Sequence, residues 1–267
     1  MRKALLIIDP QNDFMDSPNH KATLAVPGSY QDTLRLCEFI KQSPPEAIVV
    51  TLDTHNRYDI SHALWWVDKD GKNPAPFTVI SVADVESSKW KSYDNAEQEY
   101  SLFYVKQLAS QGNYPLCIWP YHVIKGTKGH EVEENLKSVL DDWEQTSGQK
   151  VHYVTKGLNP RTEHYSALKA EVQLDDEGTH LNVSLIEMLK PFDKISIAGQ
   201  AKSHCVAGST MDLIENIGGS NISKIEILQD CMSSVPGFEV QGDAFIAKAQ
   251  GRGAHVVNAK QNSTLRV

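Results

Sequence analysis

A cysteine, an aspartate and a lysine stand at the ends of three separate apolar runs in this chain. Cys205 follows the run at 195–198, inside GQAKSHCVAGS (199–209), and Val206, Thr210, Leu213, Ile214 and Ile217 continue from it at helical spacing. Asp9 follows ALLII (4–8), and Lys156 closes VHYVTK (151–156) just before a glycine. Taken singly, each has a plain reading: a small buried core thiol, a turn aspartate, a solvated lysine. As a set they have a chemistry. A helix N-terminus and a neighbouring cation lower a thiol pKa, and Lys156 supplies the cation. Asp9 can accept the thiol proton and return it to a leaving amine. Backbone amides of the turn at 201–205 can hold a developing oxyanion. This is the logic of a catalytic triad in which aspartate and lysine assist the cysteine and no histidine is needed.

A second constellation lies beside the first. Asp53-Thr54-His55 follows another apolar run (47–52), His62 comes seven residues later, and His122 sits in WPYH (119–122). One carboxylate with two or three imidazoles suits Zn, Fe or Mn as a divalent ion, with open positions for water or substrate. Asp59 reads as a decoy, and His20, His130, His152, His164, His180, His204 and His255 read as surface or structural residues.

Elements must exist to bring these residues together. The runs at 4–8, 47–52, 151–154, 195–198, 225–228 and 255–257 are near-continuously apolar, as in parallel strands covered on both faces. Helical patterns separate them, including the stripe Val132, Leu136, Val139, Leu140 and Trp143, and the set Leu34, Cys37 and Ile40. Alternating strands and helices predict a three-layer, doubly wound α/β fold with a mainly parallel six-stranded sheet. In such sheets ligands sit beyond the C-terminal strand ends, where Asp9, Asp53, Lys156 and Cys205 fall. The stretch at about 63–117 breaks the rhythm and reads as an insertion within one domain spanning 1–267, with a helix expected near 97–110. Its role is either a surface elaboration or a lid over the Asp53/His55/His122 site, and Trp65 and Trp66 are candidates for packing against a second subunit.

Composition excludes other classes. A formal net charge of −8 leaves no basic surplus for phosphates, so no nucleic-acid partner is expected. Four scattered cysteines without a CxxC pair form neither a disulfide framework nor a cysteine-rich zinc site. The N-terminal apolar run is too short for a signal-peptide core or a membrane span, so a cytoplasmic setting without membrane contact is expected. Neither GxGxxG after the first strand nor GxxxxGK[ST] occurs, so no nucleotide cofactor is expected.

The motifs resemble the cysteine hydrolase superfamily that includes nicotinamidases and isochorismatases. The matching pieces are IIDPQNDF (7–14), LAVPG (24–28), VTLDTH (50–55), WPYHVIKGTKGHEV (119–132), VTKG (154–157), YSAL (165–168), AGQAKSHCV (198–206) and QDCMSS (229–234), in family order. The resemblance implies the isochorismatase-like hydrolase fold and an amidase reaction on a small amide such as nicotinamide, through a cysteine thioester. It implies Asp9, Lys156 and Cys205 as triad; Asp53, His55 and His122 as metal ligands, with His62 matching an additional histidine of some members; and Ala201 and Cys205 amides as oxyanion hole. Phe14 and Trp119 match aromatics around the substrate ring, with Tyr165 lining the same pocket, and Gln200–Ala201 matches a cis peptide of the family. Homo-oligomers are common in the superfamily, and one is expected here. The departures are Lys202-Ser203-His204 before the nucleophile, Val123 after the WPYH histidine, and the long aromatic insertion. They leave room for a ureido or carbamoyl amide, with Lys202 or Arg161 pairing an acidic substrate, for an isochorismatase-type vinyl ether, or for a non-catalytic binding member.

Overall fold

Residues 1–259 are described by the structure, a computed structural model. Along the chain run β1 (Lys3–Ile8), α1 (Ser29–Gln42), β2 (Ala47–Asp53), β3 (Trp66–Val67), β4 (Val79–Ile80), α2 (Val82–Glu86), β5 (Lys91–Ser92), α3 (Gln98–Gln111) and β6 (Leu116–Cys117). They are followed by α4 (Glu134–Ser147), β7 (His152–Lys156), α5 (Val183–Leu189), β8 (Lys194–Gly199), α6 (Ala207–Asn216), β9 (Ile225–Leu228), α7 (Glu239–Gly251) and β10 (His255–Val257).

Six strands form one sheet in the order β10-β9-β8-β1-β2-β7, and every neighbouring pair is parallel. The period-two alternation of side chains splits its apolar residues between two cores. Leu6, Ile8, Val49, Ile195 and Ile197 pack with Leu189 of α5, Leu213 of α6 and Phe245 of α7. Leu5, Ile7, Ile48 and Val50 pack with Leu36 and Ile40 of α1 and with Leu136, Leu140 and Trp143 of α4. The helices therefore cover both faces, which explains why the strands read as continuous apolar runs. From β1 the chain winds outward through β2 to β7, then returns to β8 on the other side of β1. The reversal opens a crevice beyond the ends of β1 and β8, where such sheets bind ligands.

The inserted stretch has a core of its own. β3 pairs with β5 and β4 with β6, both antiparallel, and Ile80, Tyr104, Leu108 and Leu116 pack around Trp65 and Trp66. Those tryptophans are 1% and 0% exposed, so they are internal and not free to pack against a second subunit. Trp65 Nε1 donates to Ser101 Oγ and Trp66 Nε1 to the Ile60 carbonyl. The two ends of the insertion meet: the Trp119 amide donates to the Ser61 carbonyl at 2.9 Å, and His62 bridges Trp119 in parallel sense. Among the described residues, no helix is long and apolar enough to cross a membrane.

Candidate active site

Asp9 leaves β1 with φ 44°, a turn that tips its carboxylate into the crevice, where it is fully buried. Thr51 on the adjoining strand holds it from both sides: its Oγ1 donates to Asp9 Oδ1 at 2.5 Å and accepts the Asp9 amide at 3.0 Å. Lys156, the last residue of β7, reaches across β2. Its Nζ lies 3.0 Å from Asp9 Oδ2 and 3.0 Å from Asp53 Oδ1, and donates to Cys205 Sγ at 3.5 Å and to the His164 carbonyl at 2.5 Å. Cys205 stands in the wide helical turn Lys202–Val206 that joins β8 to α6. β8 can pass this close to β1 because residue 199 is glycine, at φ 122°; a Cβ there would sit 2.0 Å from the Ile8 carbonyl oxygen.

Burial dominates the charges of this cluster. It opposes a charge on Lys156, but Asp53 and Asp9 outweigh it and hold the ammonium well above its ordinary pKa. Burial likewise raises the Asp9 carboxyl, against the pull of Lys156. For Cys205, burial pushes the thiol well up; Lys156 pulls it down, while Asp9 and Asp53 raise it further. The expectation of a thiol lowered by its cation and helix end is therefore corrected. The resting group is a thiol, and a neighbouring base must take its proton at the moment of attack.

Two amides of the turn were expected to receive an oxyanion. The Gln200–Ala201 bond is cis, as the resemblance implied. Among the described residues no acceptor takes the Ala201 N–H, whereas the Ala201 carbonyl accepts from His204 and Val206.

Beside Lys156, three donors converge. Single ligand atoms of Asp53, His55 and His122 lie within 4.8 Å of one another, all buried. Asp53 Oδ2 is 3.2 Å from His55 Nε2 and 3.9 Å from His122 Nε2. The Nδ1 atoms are occupied, since His55 donates to Asp59 Oδ2 at 3.0 Å and His122 to the Pro120 carbonyl at 2.9 Å. Both rings thus present an Nε2 lone pair to one point, as metal-binding imidazoles do. His55 Nε2 is buried without a hydrogen-bond partner. Burial opposes a charge on His55, but Asp53, Asp59 and Glu163 raise its pKa well above the usual value, so the spot attracts a cation. Burial drops His122 to about 3, leaving it neutral as a ligand must be. These residues fit a divalent metal. His62 stands next to them, its Nε2 3.4 Å from His122 Nδ1, but outside the converging trio. Asp59 stays outside the converging trio, as a decoy would, but it holds His55 through Nδ1.

A small cavity connects the two groups. Phe14, Trp119 and Tyr165 line it, together with Cys205, Asp53 and His122. Among the further lining residues, the polar pair Glu163 and His204 escaped the sequence reading. Glu163 accepts the His164 amide through Oε1, which lies 3.7 Å from His55 Nε2, and its Oε2 is buried without a partner. His204, expected to be structural, packs against Trp119, Tyr165 and Phe238 and stacks on Tyr114 at 4.9 Å. Ser203 Oγ accepts the Val235 amide and bonds His204 Nδ1 at 2.9 Å. Burial lowers His204 to about 4, so this imidazole is neutral. Lys202 and Arg161 do not reach the cavity: Lys202 pairs with Asp243 at 2.6 Å, and Arg161 pairs with Glu97 and covers the Tyr100 ring. Tyr114, at the exit of the insertion, donates to the Ser203 carbonyl, so the insertion touches the site from the side.

No family model matches this chain, and no curated protein matches it either. Solved structures do. An Acinetobacter baumanii nicotinamidase/pyrazinamidase superposes with a TM-score of 0.66 at 18% identity over 98% of each chain. The yeast nicotinamidase bound to the inhibitor nicotinaldehyde gives 0.65 at 21% identity, over 96% of this chain and 99% of its own. A Pyrococcus horikoshii pyrazinamidase in complex with zinc gives 0.56 at 19% identity, over 97% and 99%. The three-layer fold is shared with these proteins along nearly the whole chain.

Proposed function

We propose that this chain is a cysteine amidohydrolase of the nicotinamidase and isochorismatase superfamily, converting a small ring-bearing amide to its carboxylate and ammonia. The observation that carries the reading is the position of Lys156 Nζ, 3.0 Å from Asp9 and 3.5 Å from Cys205 at the base of an aromatic cavity. Aromatic walls hold a flat ring by its face and leave its carboxamide directed at the thiol.

In acylation, Sγ of Cys205 attacks the amide carbon while its proton passes to Asp9, whose raised pKa makes it a better base than an exposed carboxylate. The oxyanion forms toward the amides of Ala201 and Cys205. Asp9 returns the proton to the nitrogen as the C–N bond breaks, ammonia leaves, and a thioester remains on Cys205. Lys156 stays charged throughout and balances the negative charge that moves between sulfur and Asp9. Water then adds to the thioester with Asp9 again taking a proton, and the thiol is restored as the acid departs. Asp53, His55 and His122 would hold a divalent ion, which when bound supplies Lewis-acid polarisation and a fixed point for substrate or water. The chain's own part there is to orient the two imidazoles through Asp59 and the Pro120 carbonyl.

Nicotinamide is the substrate we favour, since solved structures that share this fold include nicotinamidases. An ammonia-release screen over nicotinamide, pyrazinamide and ureido compounds, with and without chelator, tests the reading. Turnover that disappears in Cys205→Ala is expected. Silence on every amide, or full activity in Cys205→Ala, would overturn it.

A further inference from the structure

Behind the nucleophile turn lies a buried polar cluster for which the hydrolytic steps have no use. Gln200, 1% exposed, immediately precedes Ala201. Its Nε2 donates to Asp32 Oδ2 at 3.1 Å, and its Oε1 accepts the Ser233 amide at 3.2 Å. Ser233 Oγ donates to the same Asp32 oxygen at 2.6 Å, while the Ser233 carbonyl accepts the Lys202 amide at 2.8 Å. Asp32 is itself 3% exposed and belongs to α1. Arg35, one turn further along, donates to its other oxygen and, through Nε, to the Asp230 carbonyl at 2.5 Å.

From this arrangement we infer that Asp32 is a positioning residue for the oxyanion-binding amide of Ala201, an assignment that rests on the amidase reading above. The Ala201 N–H belongs to the peptide plane that joins it to Gln200, so the orientation of Gln200 sets where that hydrogen points. Gln200 is gripped by its side chain on one side of Ala201, and Lys202 is gripped by its amide on the other. Both grips end on Ser233, and Asp32 ties Ser233 to Gln200. One carboxylate oxygen can accept two hydrogen bonds at once, which a hydrocarbon side chain cannot do.

Packing alone would not call for this cluster. Replacing buried ionic and polar groups by apolar residues of similar volume is often neutral or stabilising, whereas breaking such a set by removing one partner is costly. Gln200 and Asp32 occupy a place where leucine or methionine would fill the volume. What they add is direction: a closed ring of hydrogen bonds on both flanks of Ala201, whose N–H finds no acceptor among the described residues. Preorganised donors act only if held in place before charge develops.

The test separates oxyanion binding from the other parts of the site. Asp32→Ala, Gln200→Met and Ser233→Ala are compared with wild type on the amide that wild type hydrolyses. They are also compared for affinity for pyridine-3-carbaldehyde, whose tetrahedral thiol adduct puts its former carbonyl oxygen where the oxyanion would form, as O⁻ while Asp9 keeps the thiol proton, and for iodoacetamide alkylation of Cys205, which forms no such oxygen. Removing one oxyanion donor costs about 10²–10³ in kcat, so a misaligned donor is expected to cost about 10–100-fold, with KM within about two-fold. Aldehyde affinity should fall by a similar factor and alkylation should stay within about two-fold. Thermal unfolding checks each fold; if Asp32→Ala does not fold, Ser233→Ala, which deletes a single hydroxyl, carries the test with a smaller loss in the same direction. Folded variants with kcat and aldehyde affinity unchanged would overturn the assignment, as would alkylation falling in step with kcat. A wild-type protein that hydrolyses no amide overturns the amidase reading itself, whereas unimpaired variants of an active enzyme remove only the role given to Asp32.

Discussion

Thr51→Val tests the handling of Asp9 without touching a reacting group. Valine matches threonine in shape, so it leaves little cavity, but it removes both hydrogen bonds that Thr51 makes to Asp9. The Asp9 amide and Oδ1 are then left without these partners in a place sealed from water. Each buried group so orphaned costs about 1–3 kcal/mol, giving a loss of about 2–6 kcal/mol. At this chain length each kcal/mol lowers Tm by about 2–4 °C. The deficit depends on pH. Burial holds the Asp9 carboxyl above its usual range against Lys156, and Thr51 is among the groups that hold it down. The substitution therefore raises it further. A carboxyl raised in the folded state contributes most to stability below its unfolded pKa, and that contribution is lost as pH climbs through the folded value. The Thr51→Val deficit should be largest at neutral pH and shrink in acid. Activity moves with it: Asp9 must be ionised to take the thiol proton, so the acid limb of kcat/KM shifts to higher pH. Urea unfolding at neutral and acidic pH, with pH–rate profiles of ammonia release, measures both effects, and Thr51→Ser should restore most of each. A Thr51→Val protein with wild-type stability and an unmoved acid limb would refute the reasoning.

Three further outcomes are expected. Asp59→Asn weakens the hold on His55 and should lower affinity for a divalent ion by about 10–100-fold in chelator competition; unchanged affinity would remove Asp59 from the site. Burial pushes Cys37 and Cys117 to about 12, so both should stay unlabelled by iodoacetamide at neutral pH in the folded protein. Cys205 labelling should slow in Asp9→Asn, and mass spectrometry of the alkylated protein showing equal rates would argue against Asp9 as its base.

The strand ends were readable because the local rule is strong. An apolar run that stops at Asp9, Asp53 or Lys156, or just short of the turn that carries Cys205, marks a parallel strand emerging from its core, and the fold lines such ends up by necessity. The helix over 134–147 follows from its apolar periodicity in the same way. Asp59, Glu163 and His204 were not readable, since their roles depend on which way a neighbouring ring turns after folding. Nothing in the spacing of His55 and Asp59 says that Nδ1 will face the carboxylate. Trp65 and Trp66 misled for a related reason: exposed aromatics and the centre of a small separate core look alike until the segment's partners are known. For Cys205, position implied a lowered thiol pKa, but only the depth of burial reveals the opposite balance.

The meeting of the insertion's two ends at Ser61 and Trp119 makes it a graft already accepted by its host. Because the junction is stitched and the stretch is packed on its own core, added length is tolerated best in its exposed turns, where each doubling of a flexible loop adds only about 0.6 kcal/mol of entropy cost. The exposed turn at 69–73, with Gly71 at φ 75°, is the natural port for a further guest. A reporter domain or affinity module placed there would ride on the segment that ends beside Tyr114.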